Sequence, residues 1–257
     1  MRILVTGASG FIGSRIAHFL SNKNFKVICN YNKKPVKIKS VLKVKIKITK
    51  KISIDGPVDT IIHCASKTPV NSNNKKDTYI QNVNMMKNLI KLSKIKGVKT
   101  FIFLSSVSVY GLIKDQTLSE SYKPYKPNSY GKSKTKCELM LGRYCRNSNT
   151  KYMVIRLPGV VGEGSHSNFI TEISKKIQKN ELINVTNKYN YFNNVVYVDD
   201  LSKFILKLLK KKNFKSNIVN LGSKNKIKIF ELIDLIYNLL NVKNKRIKWN
   251  NNHSNSF

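Results

Sequence analysis

With 257 residues, 41% of them hydrophobic, the chain can bury one large core, alone or with a small annex. It has no apolar run of the ~18 residues that a membrane helix needs. Its 48 Lys and Arg against 13 Asp and Glu give a formal charge of +35. The four cysteines (Cys29, Cys64, Cys137, Cys145) have no CxxC spacing, and none of the four histidines lies at ligand spacing from a cysteine pair. A disulfide framework and a zinc site are therefore not expected, and no metal is assigned. The N-terminus runs straight into a strand, so no signal peptide is expected, and the implied compartment is the reducing cytoplasm.

The charge has two readings. One is a polyanionic partner: nucleic acid, an anionic membrane or a phosphate-rich substrate. The other, which we favour, is coding bias: Lys, Asn and Ile are all heavily used, and the lysines then form solvated faces. That bias leaves the scarcity of Glu unexplained. No lysine run is interleaved with aromatics as in a stacking platform, so nucleic acid is not the favoured partner.

Along the chain, short apolar strands alternate with helical stretches. Arg2–Thr6 reads as a strand, Phe11–Asn22 as a helix and Lys26–Asn30 as a second strand. From Leu42 to Ile48, apolar residues alternate with lysines, which marks a strand near a sheet edge with one wet face. Thr60–His63 is a strand, Asp77–Lys96 a helix, Thr100–Leu104 a buried strand, Ser129 to about Tyr144 a helix, and Tyr152–Leu157 a strand. This alternation predicts an α/β fold with a doubly wound parallel sheet of Rossmann type. After Gly162 the pattern loosens. Helices near Asn168–Lys179, Asp199–Lys211 and Ile229–Leu240, with short strands near Val195–Val198 and Ile218–Leu221, read as a small, abbreviated C-terminal annex. Residues 1–162 form the expected dinucleotide-binding domain, to which the chain returns near 190–212. Residues 163–257 are mainly a substrate-binding annex. The Asn/Ser-rich tail from Asn250 is expected to fray.

The first strand runs into Thr6-Gly7-Ala8-Ser9-Gly10-Phe11-Ile12-Gly13. Three glycines at this spacing permit a tight strand-to-helix turn, close approach of backbone to a pyrophosphate, and close helix–strand packing. The helix N-terminus behind them favours phosphate. No GK[ST] follows, so this is not a P-loop. Gly7, Ser9, Gly10, Phe11, Ile12 and Gly13 are the candidates to hold a dinucleotide. Downstream, Tyr130-Gly131-Lys132-Ser133-Lys134 puts Tyr130 and Lys134 one helical turn apart on one face. An ammonium there favours a phenolate in an acid–base role. Ser105-Ser106-Val107-Ser108-Val109-Tyr110-Gly111 closes the strand Phe101–Leu104, at the strand end where such sheets hold ligands.

These segments, with His63-Cys64-Ala65-Ser66, Asn82-Val83-Asn84, Arg156-Leu157-Pro158-Gly159-Val160-Val161-Gly162 and Asn194-Val195-Val196-Tyr197-Val198-Asp199-Asp200-Leu201, occur in order over most of the chain. Together they resemble the extended short-chain dehydrogenase/reductase family, in particular its nucleotide-sugar epimerases, dehydratases and 4-keto reductases. The resemblance implies an NAD(P) cofactor and a nucleotide-sugar substrate. By it, Tyr130 is the proton donor and acceptor, Lys134 tunes it and holds a cofactor ribose, and Ser106 orients the reacting oxygen of the substrate. Ala65, Asn82 and Pro158 fall beside the cofactor. Asn168 falls where relatives often contact the substrate diphosphate. His63 is read as a residue packed at its strand end, Cys64 as a small packed residue, and Asp199 and Asp200 as caps of the following helix.

Two departures stand out. NAD-preferring relatives carry an acid at the end of the second strand, where this chain has Cys29-Asn30-Tyr31-Asn32-Lys33-Lys34, and the acid usual near the adenine is missing around Lys47–Lys51. Lys33 and Lys34 suit a 2′-phosphate, which tilts the expectation toward NADP. The annex also ends early, so the pocket is either abbreviated or completed by another subunit; monomer and homodimer both stay open. The competing activities are an epimerase or dehydratase, an NADPH-dependent 4-keto-sugar reductase and, from another class, a non-catalytic nucleotide- or RNA-binding member. An intact Ser106, Tyr130 and Lys134 set argues against the last.

Overall fold

The computed structural model describes residues 1–68, 75–113, 117–165, 168–211 and 214–250. The tail beyond Asn250 lies outside the described residues. Among the described residues the strands, in chain order, are β1 (Arg2–Thr6), β2 (Lys26–Tyr31), β3 (Leu42–Lys45), β4 (Thr60–His63), β5 (Thr100–Ser106), β6 (Lys151–Leu157), β7 (Gly159–Val161), β8 (Ile183–Thr186), β9 (Tyr191–Phe192), β10 (Val195–Tyr197), β11 (Asn217–Asn220), β12 (Ile227–Lys228) and β13 (Ile247–Asn250). The helices are α1 (Phe11–Ser21), α2 (Lys75–Lys96), α3 (Ser129–Arg146), α4 (Phe169–Gln178), α5 (Val198–Lys210) and α6 (Ile229–Leu239). No described helix is long and apolar enough to cross a membrane.

Seven strands form one parallel sheet in the order β11-β6-β5-β4-β1-β2-β3. The chain winds outward from β1 through β2 to β3, then restarts on the other side of β1 at β4. That reversal opens a crevice at the carboxyl ends of β1 and β4, where ligands bind in such sheets. Alternate strand residues serve opposite faces. Ile3, Val5, Ile62, Ile102 and Ile155 pack under α1 and α5 with Ile16, Leu20, Leu201 and Ile205. Leu4, Ile28, Ile61, Phe101 and Val154 pack under α2 and α3 with Met86, Leu89 and Leu141.

The lysine-alternating strand is indeed the sheet edge, but it stops at Lys45. Beyond it the backbone turns away: Asn30 Nδ2 donates to the Ile46 carbonyl at 2.9 Å, and Asn88 Nδ2 donates to those of Ile48 and Lys50. Side chains thus take carbonyls that a longer ladder would use. The strand expected near 218–221 is β11, and it pairs with β6 in the main sheet rather than belonging to the annex. The main sheet therefore takes a strand from as late in the chain as Asn220.

The annex is assembled from fragments: β8 pairs with β13 and β9 with β12, while β10 reaches back to β7 of the first 162 residues, each pair a separate two-stranded sheet. Its core joins Ile173 and Ile177 of α4, Ile183 and Val185 of β8, and Leu232, Ile233, Ile236 and Tyr237.

Candidate active site

The glycine turn connects β1 to α1 at the crevice. Gly7 has φ +66°, and a Cβ there would lie 2.7 Å from the Ala65 backbone, so a side chain would be both strained and obstructed. A Cβ on Gly13 would overlap the Gly7 carbonyl, so Gly13 lets the helix close onto the turn. Gly10 is the N-cap of α1; no side chain caps the helix, and its first turn carries no acid. Ser9 and Gly10 are exposed at the tip, with Ile12 half-buried and Phe11 buried behind them. The turn thus offers helix-start backbone, uncrowded by Cβ atoms, to a phosphate.

The floor of the crevice is tied together by polar side chains. The Thr6 hydroxyl accepts from the Ala65 N–H at 3.2 Å and lies 2.8 Å from His63 Nδ1. His63 is 2% exposed and stacks on Phe103. Burial, aided by the nearby Lys134 ammonium, pushes its pKa down to about 3, so it is a neutral packed ring. Burial pushes the Cys64 thiol up to about 12, which suits a packed residue and not a reactive thiolate. Asn82 Oδ1 accepts from Lys67 N at 2.8 Å, and Nδ2 donates to the Lys67 carbonyl and to Ser133 Oγ at 3.0 Å. It therefore clamps the segment after β4 to α3.

Ser106 ends β5, and the start of α3, which carries Tyr130 and Lys134, packs beside it. Ser106 caps the 3-10 turn Val107–Tyr110, its Oγ accepting from Ser108 N and donating to Ser108 Oγ, both at 3.1 Å. Asn128 caps α3 by accepting from Gly131 N at 2.8 Å. A Cβ on Gly131 would overlap the Ser108 carbonyl, so only glycine lets the start of α3 press against the turn that carries Ser106. Tyr130 is half-buried at that contact. Lys134, 3% exposed, donates to the Leu104 carbonyl at 2.9 Å and holds its ammonium 5.6 Å from the centre of the Tyr130 ring.

Behind this set lies a buried network absent from the sequence reading. Glu138 accepts from Ser105 Oγ at 2.5 Å and from Arg156 Nε and Nη2 at 3.1 and 2.7 Å. Arg156 Nη1 also donates to Tyr110 Oη at 2.6 Å, and Tyr110 donates to Asn220 Oδ1 at 2.8 Å. Burial opposes the guanidinium charge, but the hydrogen bond and attraction of Glu138, with Tyr110 adding, raise the Arg156 pKa above its ordinary value. Two signals were available: Glu138 lies one turn beyond Lys134, and it is one of few acids in a strongly basic chain.

The remaining candidates are more dispersed. Lys33 and Lys34 are exposed just past β2, and Pro158 is half-buried between β6 and β7. Asn168 is the N-cap of α4 in a capping box with Thr171, and its Nδ2 lies 3.4 Å from the Val160 carbonyl. Asp199 and Asp200 lie within the first turn of α5, where acids suit the dipole, but neither caps it: Tyr197 is the N-cap, without a side-chain bond. Asp199 pairs with Arg15 at 3.3 Å and Asp200 with Lys203 at 3.2 Å.

A doubly wound sheet with a glycine turn at its switch point and a Ser–Tyr–Lys set at its strand ends defines a dinucleotide-dependent class. The chain belongs to the NAD dependent epimerase/dehydratase family, whose model matches residues 3–222. It is 29% identical over 252 residues to a putative UDP-glucose 4-epimerase of Methanocaldococcus jannaschii, covering 91% of this chain and 81% of that one. It is 30% identical over 220 residues to a GDP-6-deoxy-D-talose 4-dehydrogenase of Aggregatibacter actinomycetemcomitans, covering 82% and 71%. Its fold matches the UDP-glucose 4-epimerase of Thermotoga maritima with a TM-score of 0.81 at 22% identity, over 99% of this chain and 87% of that one.

Proposed function

We propose that the chain is an enzyme that epimerises or dehydrates a nucleotide diphosphate sugar by hydride transfer with Tyr130 as the acid–base group. The observation that supports this most is the contact made by Gly131, which presses the start of α3, with Tyr130 and the buried Lys134, against the turn that Ser106 caps. The glycine turn fits a dinucleotide: side chains at positions 7 and 13 would fill the space or break the turn, and residues 7 to 13 would hold the pyrophosphate. When bound, the nicotinamide supplies a hydride acceptor and donor.

The chain supplies the rest. Tyr130 takes the proton from the sugar hydroxyl that becomes a ketone and returns it when the ketone is reduced. Lys134, fixed by the Leu104 carbonyl, presents positive charge toward the phenolic ring and stabilises the phenolate. Ser106 turns its hydroxyl from Ser108 to the reacting oxygen. Asn168 fixes the start of α4, where a helix N-terminus suits the substrate diphosphate. The M. jannaschii and A. actinomycetemcomitans relatives are named for reactions on UDP- and GDP-sugars, which supports this substrate class.

A specific observation favours a second reading, a reductase using NADPH. No acid stands at the end of β2, where Asn30 is committed to Ile46, and Lys33 and Lys34 are exposed beside it. On this ground NADP(H) binds at least as well as NAD(H). Calorimetric titration of both, in the wild type and in Lys33→Ala/Lys34→Ala, checks it; a clear NAD preference unchanged in the variant defeats it.

A panel of UDP-, dTDP- and GDP-sugars with and without NADPH separates the reactions. Interconversion without net cofactor consumption is expected for the epimerase, and stoichiometric NADPH oxidation with a 4-keto sugar marks the reductase. Tyr130→Phe should lower turnover by ~10²–10⁴-fold with cofactor affinity retained. Near-wild-type turnover in that variant would remove Tyr130 from the mechanism.

A further inference from the structure

We propose that the annex docks this protein on an anionic lipid surface through a tyrosine–tryptophan–lysine cluster. Three segments far apart in the chain assemble it. Tyr189 and Tyr191, 67% and 50% exposed, flank a surface shared with half-buried Phe230 and Trp249. The Lys188 ammonium lies 5.2 Å from the Tyr189 ring centre, 5.9 Å from Phe230 and 5.6 Å from Trp249. Lys226 lies 4.6 Å from the Tyr191 ring centre and Lys228 6.0 Å from Phe230. Tyr189 meets Phe230 edge-on at 5.8 Å, and Tyr191 stands opposite Lys228 in the β9–β12 ladder.

Charge complementarity selects the partner. Residues 182–192 and 224–250 carry eight Lys and Arg against two acids, Glu231 and Asp234. Both acids are engaged locally: Glu231 accepts from Lys228 N at 3.1 Å, and Asp234 pairs with Lys245 at 2.7 Å. The cluster therefore presents uncompensated positive charge beside amphipathic rings. Tyr and Trp settle at headgroup depth, while lysines reach the phosphates with their ammonium groups. Nucleic acid is the competing polyanion, and competition between vesicles and RNA separates the two. The proposed contact is peripheral, made by side chains at the surface of the annex.

The test uses the full chain and a built-in reporter, since Trp249 is the one tryptophan. Vesicles of phosphatidylcholine, alone or with about 30% phosphatidylglycerol, are added near physiological salt. The expected result is co-sedimentation with the anionic vesicles only, with a blue shift of Trp249 emission. Tyr189→Ser/Tyr191→Ser keeps the net charge and should lower vesicle partitioning about tenfold. Lys43→Glu/Lys45→Glu, on the edge strand β3, should leave the Trp249 shift in place. Unchanged partitioning of the tyrosine variant, or binding without a Trp249 shift, overturns the proposal in favour of diffuse charge. A Trp249 shift with single-stranded RNA that anionic vesicles do not compete away overturns it in favour of nucleic acid. Circular dichroism and dinucleotide affinity of each variant separate these outcomes from misfolding and from failure of the enzymatic reading.

Discussion

Glu138 and Arg156 in the sheet domain, and Asp234 and Lys245 in the annex, are ion pairs of the same length, 2.7 Å. Their surroundings are opposite. The first pair has side chains 5% and 12% exposed and is joined to Ser105, Tyr110 and Asn220; both side chains of the second are 44% exposed. Distance alone therefore does not rank the two. Water screens the annex pair and returns little stability, whereas the buried pair cannot lose one partner without stranding the other. The sheet domain holds its site with sealed, fully bonded charges, and the annex carries its charges on the outside.

Removing one acid from each pair should break this symmetry of length. Glu138→Ala leaves Arg156 buried and Ser105 without its acceptor, and should cost about 3–5 kcal/mol in denaturant unfolding. A loss below about 1 kcal/mol would mean that water reaches the network. The buried imidazole gives the next largest effect. His63 titrates at about 3 in the fold against 6.5 when unfolded, so the unfolded chain takes the proton first as pH falls. Its contribution is intact above pH 6.5 and is lost on acidification toward about 3, with a slope of up to about 1.4 kcal/mol per pH unit. His63→Asn should flatten that part of the stability–pH curve. A curve unchanged by the substitution would show that His63 is not the titrating group. Asp234→Asn should change stability by less than about 1 kcal/mol, less still in high salt. A larger loss would erase the contrast between the regions.

The legible parts of the fold were those written in local periodicity. The strand–helix alternation from Arg2 to Leu157 needs only neighbours in sequence, as does the glycine turn, and the lysine alternation after Leu42 announced an edge. The annex was legible as its helices and as the strand near Val195–Val198, which is β10. Strands β7, β9 and β12 run two or three residues each, too short to show a period, and find their partners across long stretches of chain. Ile218 in β11 looked like one more such fragment, because nothing local says that it pairs with Val154. At the site, Ser106, Tyr130 and Lys134 belong to recognisable motifs, whereas nothing local marks Glu138 on its helix or Arg156 two residues before Pro158. Only the tertiary packing shows that they meet, and the same holds for Lys188, Phe230 and Trp249.

The contact at Gly131 sets a mechanical tolerance. Tyr130 and Ser106 belong to different elements, and the spacing between those elements is fixed where a methyl group would collide with the Ser108 carbonyl. One missing carbon atom thus acts as the gauge for the gap between the start of α3, with Tyr130, and the strand end. Any change that thickens this seam, even one that touches neither Tyr130 nor Ser106, would act as a shim, spreading helix and strand while leaving both side chains chemically intact.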